Sequence, residues 1–231
     1  MYRNIKFVAF DADDTLWVFE PFFREIESKF CELLQDYLPE KQITGKLFDV
    51  EIKNLHIYGY GVKGFILSLI QTAIEISNKS VETEIIEEII NMGKGLLNRK
   101  ITLLDNVENT IKEVKDRGYQ LIVATKGDLL DQNRKLISSG LEKYFHHIEV
   151  MSDKKTSDYC KLIKRLEIHP SEFLMVGNSL KSDILPVVDM GGKAIHIPFH
   201  TTWDHEKVPE SQLQNKKFDT VNSIIEILNF L

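Results

Sequence analysis

Three carboxylates follow directly on a short apolar run near the N-terminus, in the segment Ala9–Trp17 (AFDADDTLW). The run Ile5–Phe10 predicts a buried strand, so Asp11 would lie at a strand's carboxyl end, where open α/β sheets bind ligands. Carboxylates this close together repel one another unless a cation offsets their charge. Because Mg²⁺ prefers oxygen ligands, the segment is a candidate Mg²⁺-dependent reaction centre. Taken alone, the three carboxylates are better explained by a solvated acidic turn after a strand.

The elements that would position this segment alternate between strands and helices. Four further apolar runs predict strands, and they are Gln120–Thr125, His147–Met151, Phe173–Gly177 and Ala194–Pro198. Amphipathic stretches between them predict helices, and such alternation is typical of a parallel sheet with right-handed crossovers. Roughly a hundred residues separate the first two strands, where a crossover needs about a dozen. Their helical periodicity predicts an inserted helical domain.

Residues suited to phosphate chemistry follow three of the later strands. They are Thr125 and Lys126 after the second strand, Lys154 and Lys155 after the third, and Asn178 and Asp183 after the fourth. Each has an ordinary explanation when taken singly, as a strand-end hydroxyl, a solvated lysine or a helix cap. Because the carboxyl ends of parallel strands meet at one sheet edge, their joint order favours a phosphate and metal site.

With these residues the sequence resembles the haloacid dehalogenase superfamily, whose four motifs occur here in order. They are Phe10–Thr15 (FDADDT), Thr125, Lys154 or Lys155, and Gly177–Ser179 (GNS) followed by Asp183. The resemblance implies an α/β fold, with a Rossmann-like parallel-sheet core at residues 1–16 and 101–231. The inserted helices, residues 17–100, look like that superfamily's C1-type cap domain.

The resemblance implies a two-step phosphoryl transfer. Asp11 would attack phosphorus and form an aspartyl phosphate, a nucleophilic role open to a carboxylate. Asp13 would protonate the leaving oxygen and then accept a proton from the attacking water. Superfamily members that act on halides lack an aspartate at this second position, so Asp13 favours phosphoester chemistry. Thr125 and the motif lysine would cover the remaining phosphoryl oxygens, so that Thr125, Lys126, Lys154 and Lys155 are the candidates for phosphate binding.

The motif lysine and the metal ligands complete the implied site. Lys154 and Lys155 are adjacent candidates for the lysine, and Lys154 is preferred because Tyr159 follows it by five positions, a spacing usual in the superfamily. Mg²⁺ would be bound by Asp11, the Asp13 backbone carbonyl and the segment that holds Asn178 and Asp183. The family often has Asp where this chain has Asn178, so a neutral amide oxygen would serve there.

Composition excludes several other classes of function. The chain has 231 residues and a formal net charge of -6 without a dense basic block, which argues against nucleic-acid binding. Its two cysteines are far apart and lack metal-site spacing, and no apolar stretch approaches the ~18 residues of a membrane span. We therefore expect a cytoplasmic protein without membrane or nucleic-acid partners, whose oligomeric state the sequence leaves open.

Substrate selectivity is the least constrained property. Gly59–Gly64 matches the dinucleotide fingerprint G-x-G-x-x-G but lies between predicted helices, so a turn in the cap is the better interpretation. Tyr58, Tyr60 and Lys63 around that turn, together with Trp17, are candidates for contact with substrate. The sequence predicts a Mg²⁺-dependent phosphatase for a small phosphorylated metabolite. The alternatives are a phosphomutase or other phosphotransferase, and a catalytically weak protein that binds a phosphorylated ligand.

Overall fold

The computed structural model describes residue 2 and residues 4–231. The chain divides into two compact units. The first comprises Met1–Glu20, Ile101–Lys126 and Gln132–Leu231, and the second comprises Pro21–Lys100 and Gly127–Asp131. Among the described residues, no helix is long and apolar enough to cross a membrane.

The first unit is built on a parallel sheet of six strands. They are β1 (Phe7–Phe10), β2 (Gln120–Lys126), β3 (His147–Met151), β4 (Phe173–Gly177), β5 (Lys193–His196) and β6 (Asp219–Thr220). Their order across the sheet is β3-β2-β1-β4-β5-β6, and every pair is parallel. The strand that precedes Asp11 is therefore flanked by β2 and β4. This sheet, with its flanking helices, confirms the predicted α/β Rossmann-like fold.

The second unit is helical. Its helices are α1 (Glu20–Leu33), α2 (Glu40–Tyr58), α3 (Val62–Ile76) and α4 (Thr83–Leu97). Phe23 meets Phe65 edge to face with ring centroids 4.9 Å apart, which packs α1 against α3. Asn54 on α2 donates a hydrogen bond of 3.1 Å to the Ser68 hydroxyl on α3, so that buried polar groups of the two helices satisfy each other.

The remaining helices follow strands of the sheet or lead into them. They are α5 (Val107–Asp116), α6 (Leu129–Ser138), α7 (Thr156–Leu166) and α8 (Leu185–Asp189), the last preceded by a π-helical turn at Leu180–Ile184. Helix α7 buries Tyr159, Leu162 and Ile163 in a cluster with residues of β1, β2 and β4. This apolar contact anchors the segment that carries Lys154 and Lys155 onto the sheet.

The bounds of the second unit differ from residues 17–100, the range predicted for the cap domain. The second unit begins at Pro21 and takes in Gly127–Asp131. Residues 16–18 belong to the first unit, where backbone hydrogen bonds join them to residues 102–104. Near its C-terminal end, the first unit contains a 3₁₀ helix, Ile224–Asn229.

Candidate functional site

The predicted site residues of the first unit lie at the carboxyl ends of neighbouring strands. Asp11 follows β1 and its backbone N–H donates to the Val176 carbonyl at 2.9 Å, which extends the pairing with β4 by one residue. Thr125 is the penultimate residue of β2 and is buried. Asn178 comes directly after β4. The sheet thus fixes these residues by strand pairing rather than by loop packing alone.

Lys154 lies between two carboxylates. Its ammonium group donates hydrogen bonds to Asp11 Oδ1 and, at 2.6 Å, to Asp183 Oδ1, and all three side chains are almost entirely buried. Burial raises the pKa of Asp11 to about 7, although the Lys154 ammonium opposes this shift. Burial alone would lower the pKa of Lys154, but the two carboxylates outweigh it and raise that pKa above its ordinary value. Lys154 therefore stays charged.

The adjacent lysine is placed differently. Lys155 is exposed, and its ammonium group pairs with Asp153 at 3.1 Å. Tyr159, five residues after Lys154, is fully buried and donates to the Ser182 carbonyl at 3.0 Å. Of the two lysines, the structure brings Lys154 and not Lys155 to Asp11.

A second group of oxygen atoms surrounds the Thr15 hydroxyl. This hydroxyl lies 3.4 Å from Asp11 Oδ2 and 3.3 Å from Asn178 Oδ1, so carboxylate and amide oxygens face the same point. The same Asp11 carboxylate is paired with Lys154, which also pairs with Asp183. These hard oxygen donors fit Mg²⁺. Among the described residues, no group of three or more His, Cys, Asp or Glu side chains is arranged to hold a metal, so Mg²⁺ at this point stays a prediction.

Asp183 occupies space that a side chain at Gly177 would fill. A Cβ atom built on Gly177 would lie 2.3 Å from Asp183 Oδ2, well inside contact distance. Asp183 Oδ2 also accepts a hydrogen bond of 2.9 Å from the Ser179 backbone N–H. The glycine that ends β4 therefore allows the buried carboxylate to lie against the sheet edge.

Lys126 has a carboxylate partner that the sequence analysis missed. Its ammonium group lies 2.6 Å from Glu206 Oε1 and 2.9 Å from the Ser182 hydroxyl. The other oxygen of Glu206 accepts hydrogen bonds of 2.6 Å from Ser179 Oγ and 2.5 Å from Ser182 Oγ. One side chain of the C-terminal loop thus links the end of β2 to the loop after β4.

Asp13 and Trp17 contact each other. The Trp17 indole N–H donates to Asp13 Oδ1 at 2.7 Å, and the indole is fully buried. The single polar group of the Trp17 side chain is therefore bonded to Asp13, and contact of Trp17 with substrate stays a prediction. The Asp13 carboxylate also accepts hydrogen bonds from Gln132 and Lys135 of α6, two residues that the sequence analysis did not identify.

Asp14 has a structural role. Its carboxylate accepts hydrogen bonds from the backbone N–H groups of Phe19, at 2.8 Å, and Glu20, at 3.0 Å. These N–H groups lie at the start of α1, where a helix leaves its first donors unpaired. Burial raises the pKa of Asp14 to about 8 even though these donors act in the opposite direction. The third acid of the motif thus orders the chain after the site.

In the second unit, the glycine-rich turn packs against the segment Gly127–Asp131. A Cβ atom on Gly61, whose φ is 108°, would lie 3.2 Å from the Asp128 backbone nitrogen. The Lys63 ammonium pairs with the Asp128 carboxylate at 3.0 Å. Tyr58 is exposed and Tyr60 is half-buried. The turn joins α2 directly to α3 without a strand, so it lacks the context of a dinucleotide fingerprint.

The parallel sheet, with a buried aspartate after a central strand and a lysine bound to it, defines an α/β enzyme whose site lies at the carboxyl edge of the sheet. The family description of haloacid dehalogenase-like hydrolases matches residues 5–191, and the chain belongs to this family. The resemblance noted from the motifs is therefore confirmed at the level of the superfamily.

Three known proteins show how far the similarity extends. The glyceraldehyde 3-phosphate phosphatase of Pyrococcus furiosus is 27% identical over 94% of this chain and 88% of its own. The human N-acylneuraminate-9-phosphatase is 24% identical over 83% of this chain and 81% of its own. A haloacid dehalogenase-like family hydrolase from Xanthomonas campestris superimposes with a TM-score of 0.84 at 33% identity, covering 96% of this chain and 88% of its own.

Proposed function

We propose that this hydrolase is a Mg²⁺-dependent phosphatase that cleaves a small-molecule phosphomonoester through an aspartyl-phosphate intermediate. The observation that carries the proposal is the buried Lys154 ammonium between Asp11 and Asp183. A buried ammonium offsets negative charge strongly, because the surrounding dielectric is low. This is what a carboxylate needs in order to attack a phosphoryl group that is itself negative.

Each residue of the first unit has one task in the proposed reaction. Asp11 attacks phosphorus as the P–O bond to the leaving oxygen breaks, and Asp13 supplies the proton to that oxygen. Lys154 offsets the charge on the phosphoryl oxygens, and the Thr125 hydroxyl donates a hydrogen bond to one of them. In the second step, Asp13 takes a proton from the water that attacks the aspartyl phosphate. Lys126, whose ammonium group is bonded to Glu206 and Ser182, is a further candidate for contact with the phosphoryl group.

The metal site in this proposal uses the oxygens already described. Asp11 Oδ2, Asn178 Oδ1 and the Asp13 backbone carbonyl would hold Mg²⁺, and the Asp183 carboxylate would add negative charge nearby. Bound there, the metal would supply charge compensation between Asp11 and the phosphoryl group. The neutral amide of Asn178 leaves one negative charge fewer around the metal than a carboxylate would, so we expect a weaker affinity for Mg²⁺ in the wild type than in Asn178→Asp.

The proposed substrate class is that of the relatives named above. Both named phosphatases act on a small phosphorylated molecule, and we propose the same class for this chain. The helices of the second unit are proposed to serve as a C1-type cap whose exposed Tyr58 takes part in selectivity. A cytoplasmic location is part of the proposal.

The test is hydrolysis of 4-nitrophenyl phosphate by the purified protein. We expect turnover with Mg²⁺, loss of turnover with excess EDTA, and recovery when Mg²⁺ is restored. Asp11→Asn should lower kcat by at least about a thousandfold, since it removes the nucleophile. Asp116→Asn is the matched control, because Asp116 lies on the exposed side of α5 and pairs only loosely with Lys112. It should keep wild-type kcat.

Two outcomes would contradict the proposal in different ways. Absence of turnover with Mg²⁺, in a protein that still binds phosphorylated ligands, would indicate a binding protein. Transfer of phosphate to a sugar acceptor faster than its release to water would indicate a phosphomutase or another phosphotransferase. Full activity in Asp11→Asn would exclude the aspartyl-phosphate mechanism itself.

A further inference from the structure

The Asp13 carboxylate is held by three side chains. Lys135 Nζ lies 2.9 Å from both of its oxygens, and Gln132 Nε2 donates to Oδ2 at 2.9 Å. Trp17 Nε1 donates to Oδ1 at 2.7 Å. The three donors belong to two separate segments of the chain. Together they hold the carboxylate in a single orientation.

The two α6 residues are themselves fixed. Gln132 Nε2 donates a second hydrogen bond, also of 2.9 Å, to the Lys126 backbone carbonyl at the end of β2. The Lys135 ammonium lies 3.3 Å from the centroid of the buried Phe19 ring. Since both donors are anchored on other parts of the first unit, Asp13 cannot turn without breaking contacts to the sheet end and to an aromatic ring.

Helix α6 buries these two polar residues while several of its apolar residues are exposed. Gln132 and Lys135 are buried, whereas Leu129, Leu130 and Ile137 are 60%, 71% and 60% exposed. Within the part of the chain that the structure describes, Gln132 Oε1 is buried without a hydrogen-bond partner. Burial of a lysine and of an unsatisfied amide oxygen costs stability. Both of these destabilising side chains contact Asp13. A local loss of stability of this kind is typical of a functional site.

We propose that Lys135 and Gln132 are positioning residues that hold the Asp13 carboxyl group in the orientation needed for proton transfer to the leaving oxygen. This inference rests on the phosphatase function proposed above, in which Asp13 gives its proton to the oxygen as the P–O bond breaks. In its acid form, Asp13 carries that proton on one oxygen in place of one of the two Lys135 contacts, while Lys135, Gln132 and Trp17 each keep one hydrogen bond to the carboxyl group. Neither α6 residue touches the phosphoryl group in this role. They act through Asp13, whose correct direction lowers the barrier of the proton transfer.

The leaving group provides the test. An alkyl phosphate releases a strongly basic alkoxide that needs a proton, whereas 4-nitrophenyl phosphate releases a weakly basic phenolate that does not. The parameter kcat/KM reports the first step, transfer to Asp11, for both substrates. Lys135→Met should lower kcat/KM for glycerol phosphate by about 10- to 100-fold, and for 4-nitrophenyl phosphate by less than about threefold. Lys135→Arg, which keeps a cationic donor, should recover part of the loss.

Asp13→Asn and Lys112→Met make the result decisive. Asp13→Asn removes the acid itself. It should lower kcat/KM for glycerol phosphate more than Lys135→Met does, and again affect 4-nitrophenyl phosphate less. If it lowers both substrates equally, the proposed role of Asp13 fails. If Asp13→Asn is selective while Lys135→Met lowers both substrates equally or neither, the positioning proposal is overturned and the phosphatase proposal stands. Lys112→Met, at the exposed surface of α5, should change neither value.

Thermal unfolding would show whether Lys135→Met fails to fold. In that case Gln132→Leu is used as the test variant. Leucine has a similar volume and removes the buried unsatisfied oxygen together with the donor to Asp13. Thermal stability should be kept, while kcat/KM for the alkyl phosphate falls selectively. A stable Gln132→Leu protein with wild-type kcat/KM for both substrates would overturn the proposal.

Discussion

Replacement of Glu206 by glutamine keeps the size of the side chain but removes its charge from the network around Lys126. In the wild type, burial alone would raise the pKa of Glu206, but the Lys126 ammonium and the hydroxyls of Ser179 and Ser182 outweigh it and lower the pKa to about 2. A carboxyl whose pKa is lower in the folded than in the unfolded protein stabilises the fold when ionised. Glu206→Gln should therefore destabilise the protein at neutral pH.

The magnitude follows from the pKa. An ordinary glutamate has a pKa of 4.5, and that of folded Glu206 is about 2, a difference that corresponds to about 3 kcal/mol at 1.36 kcal/mol per pH unit. The contribution is complete above about pH 5 and is lost progressively as the pH falls from 4.5 towards 2. Its size reflects the burial of the pair, since the Glu206 and Lys126 side chains are only 12% and 15% exposed.

Urea unfolding of the wild type and of Glu206→Gln, followed by circular dichroism at several pH values, measures this contribution. The difference in free energy of unfolding should be about 3 kcal/mol near pH 7 and should shrink by about 1.4 kcal/mol per pH unit below pH 4.5. As a control, Glu113→Gln removes an exposed partner of Arg117 and should cost less than about 0.5 kcal/mol. The reasoning is refuted if Glu206→Gln unfolds like the wild type near pH 7, or if the difference stays constant as the protein is acidified.

Two further substitutions test contacts of the first unit, and a third, in the second unit, serves as a control. Gly177→Ala places a Cβ atom 2.3 Å from Asp183 Oδ2, so phosphatase activity should fall at least about tenfold as the carboxylate is displaced. Gly45→Ala on α2, where nothing lies within 4 Å, should instead stabilise the protein by about 0.5–1 kcal/mol in urea unfolding, and loss of activity there would contradict the local explanation. Asp14→Ala removes the acceptor for the Phe19 and Glu20 N–H groups and should lower the free energy of unfolding by about 1–2 kcal/mol. An unchanged urea midpoint would show that these N–H groups find other acceptors.

The sequence predicts the sheet well because buried strands are short apolar runs with clear ends. Its second, third and fourth strands lie within one residue of the observed bounds. The two-residue strand β6 has no such signal, since Asp219 and Thr220 are neither apolar nor alternating. Strand order explains why residues far apart in the chain, such as Asp11 and Lys154, meet at one edge.

The parts of the site that the sequence does not reveal depend on tertiary contacts. Glu206 lies 80 positions from Lys126 in a polar loop, and nothing near it in the chain marks its burial. Gln132 and Lys135 did carry a signal, because they are three residues apart on a helix and so share a face. An amphipathic reading assigns that face to solvent, and only the packing around Asp13 shows that it points inward.

The packing of Gly61 and Lys63 against Gly127–Asp131 affects how the chain can be divided. The polypeptide passes between the two units four times, at residues 20–21, 100–101, 126–127 and 131–132. Excision of residues 21–100 would leave Asp128 without the lysine that pairs with it and would expose the backbone that Gly61 covers. The helical unit is therefore not a detachable module, and a chimera that exchanges it with a relative has to exchange the five-residue segment after β2 as well.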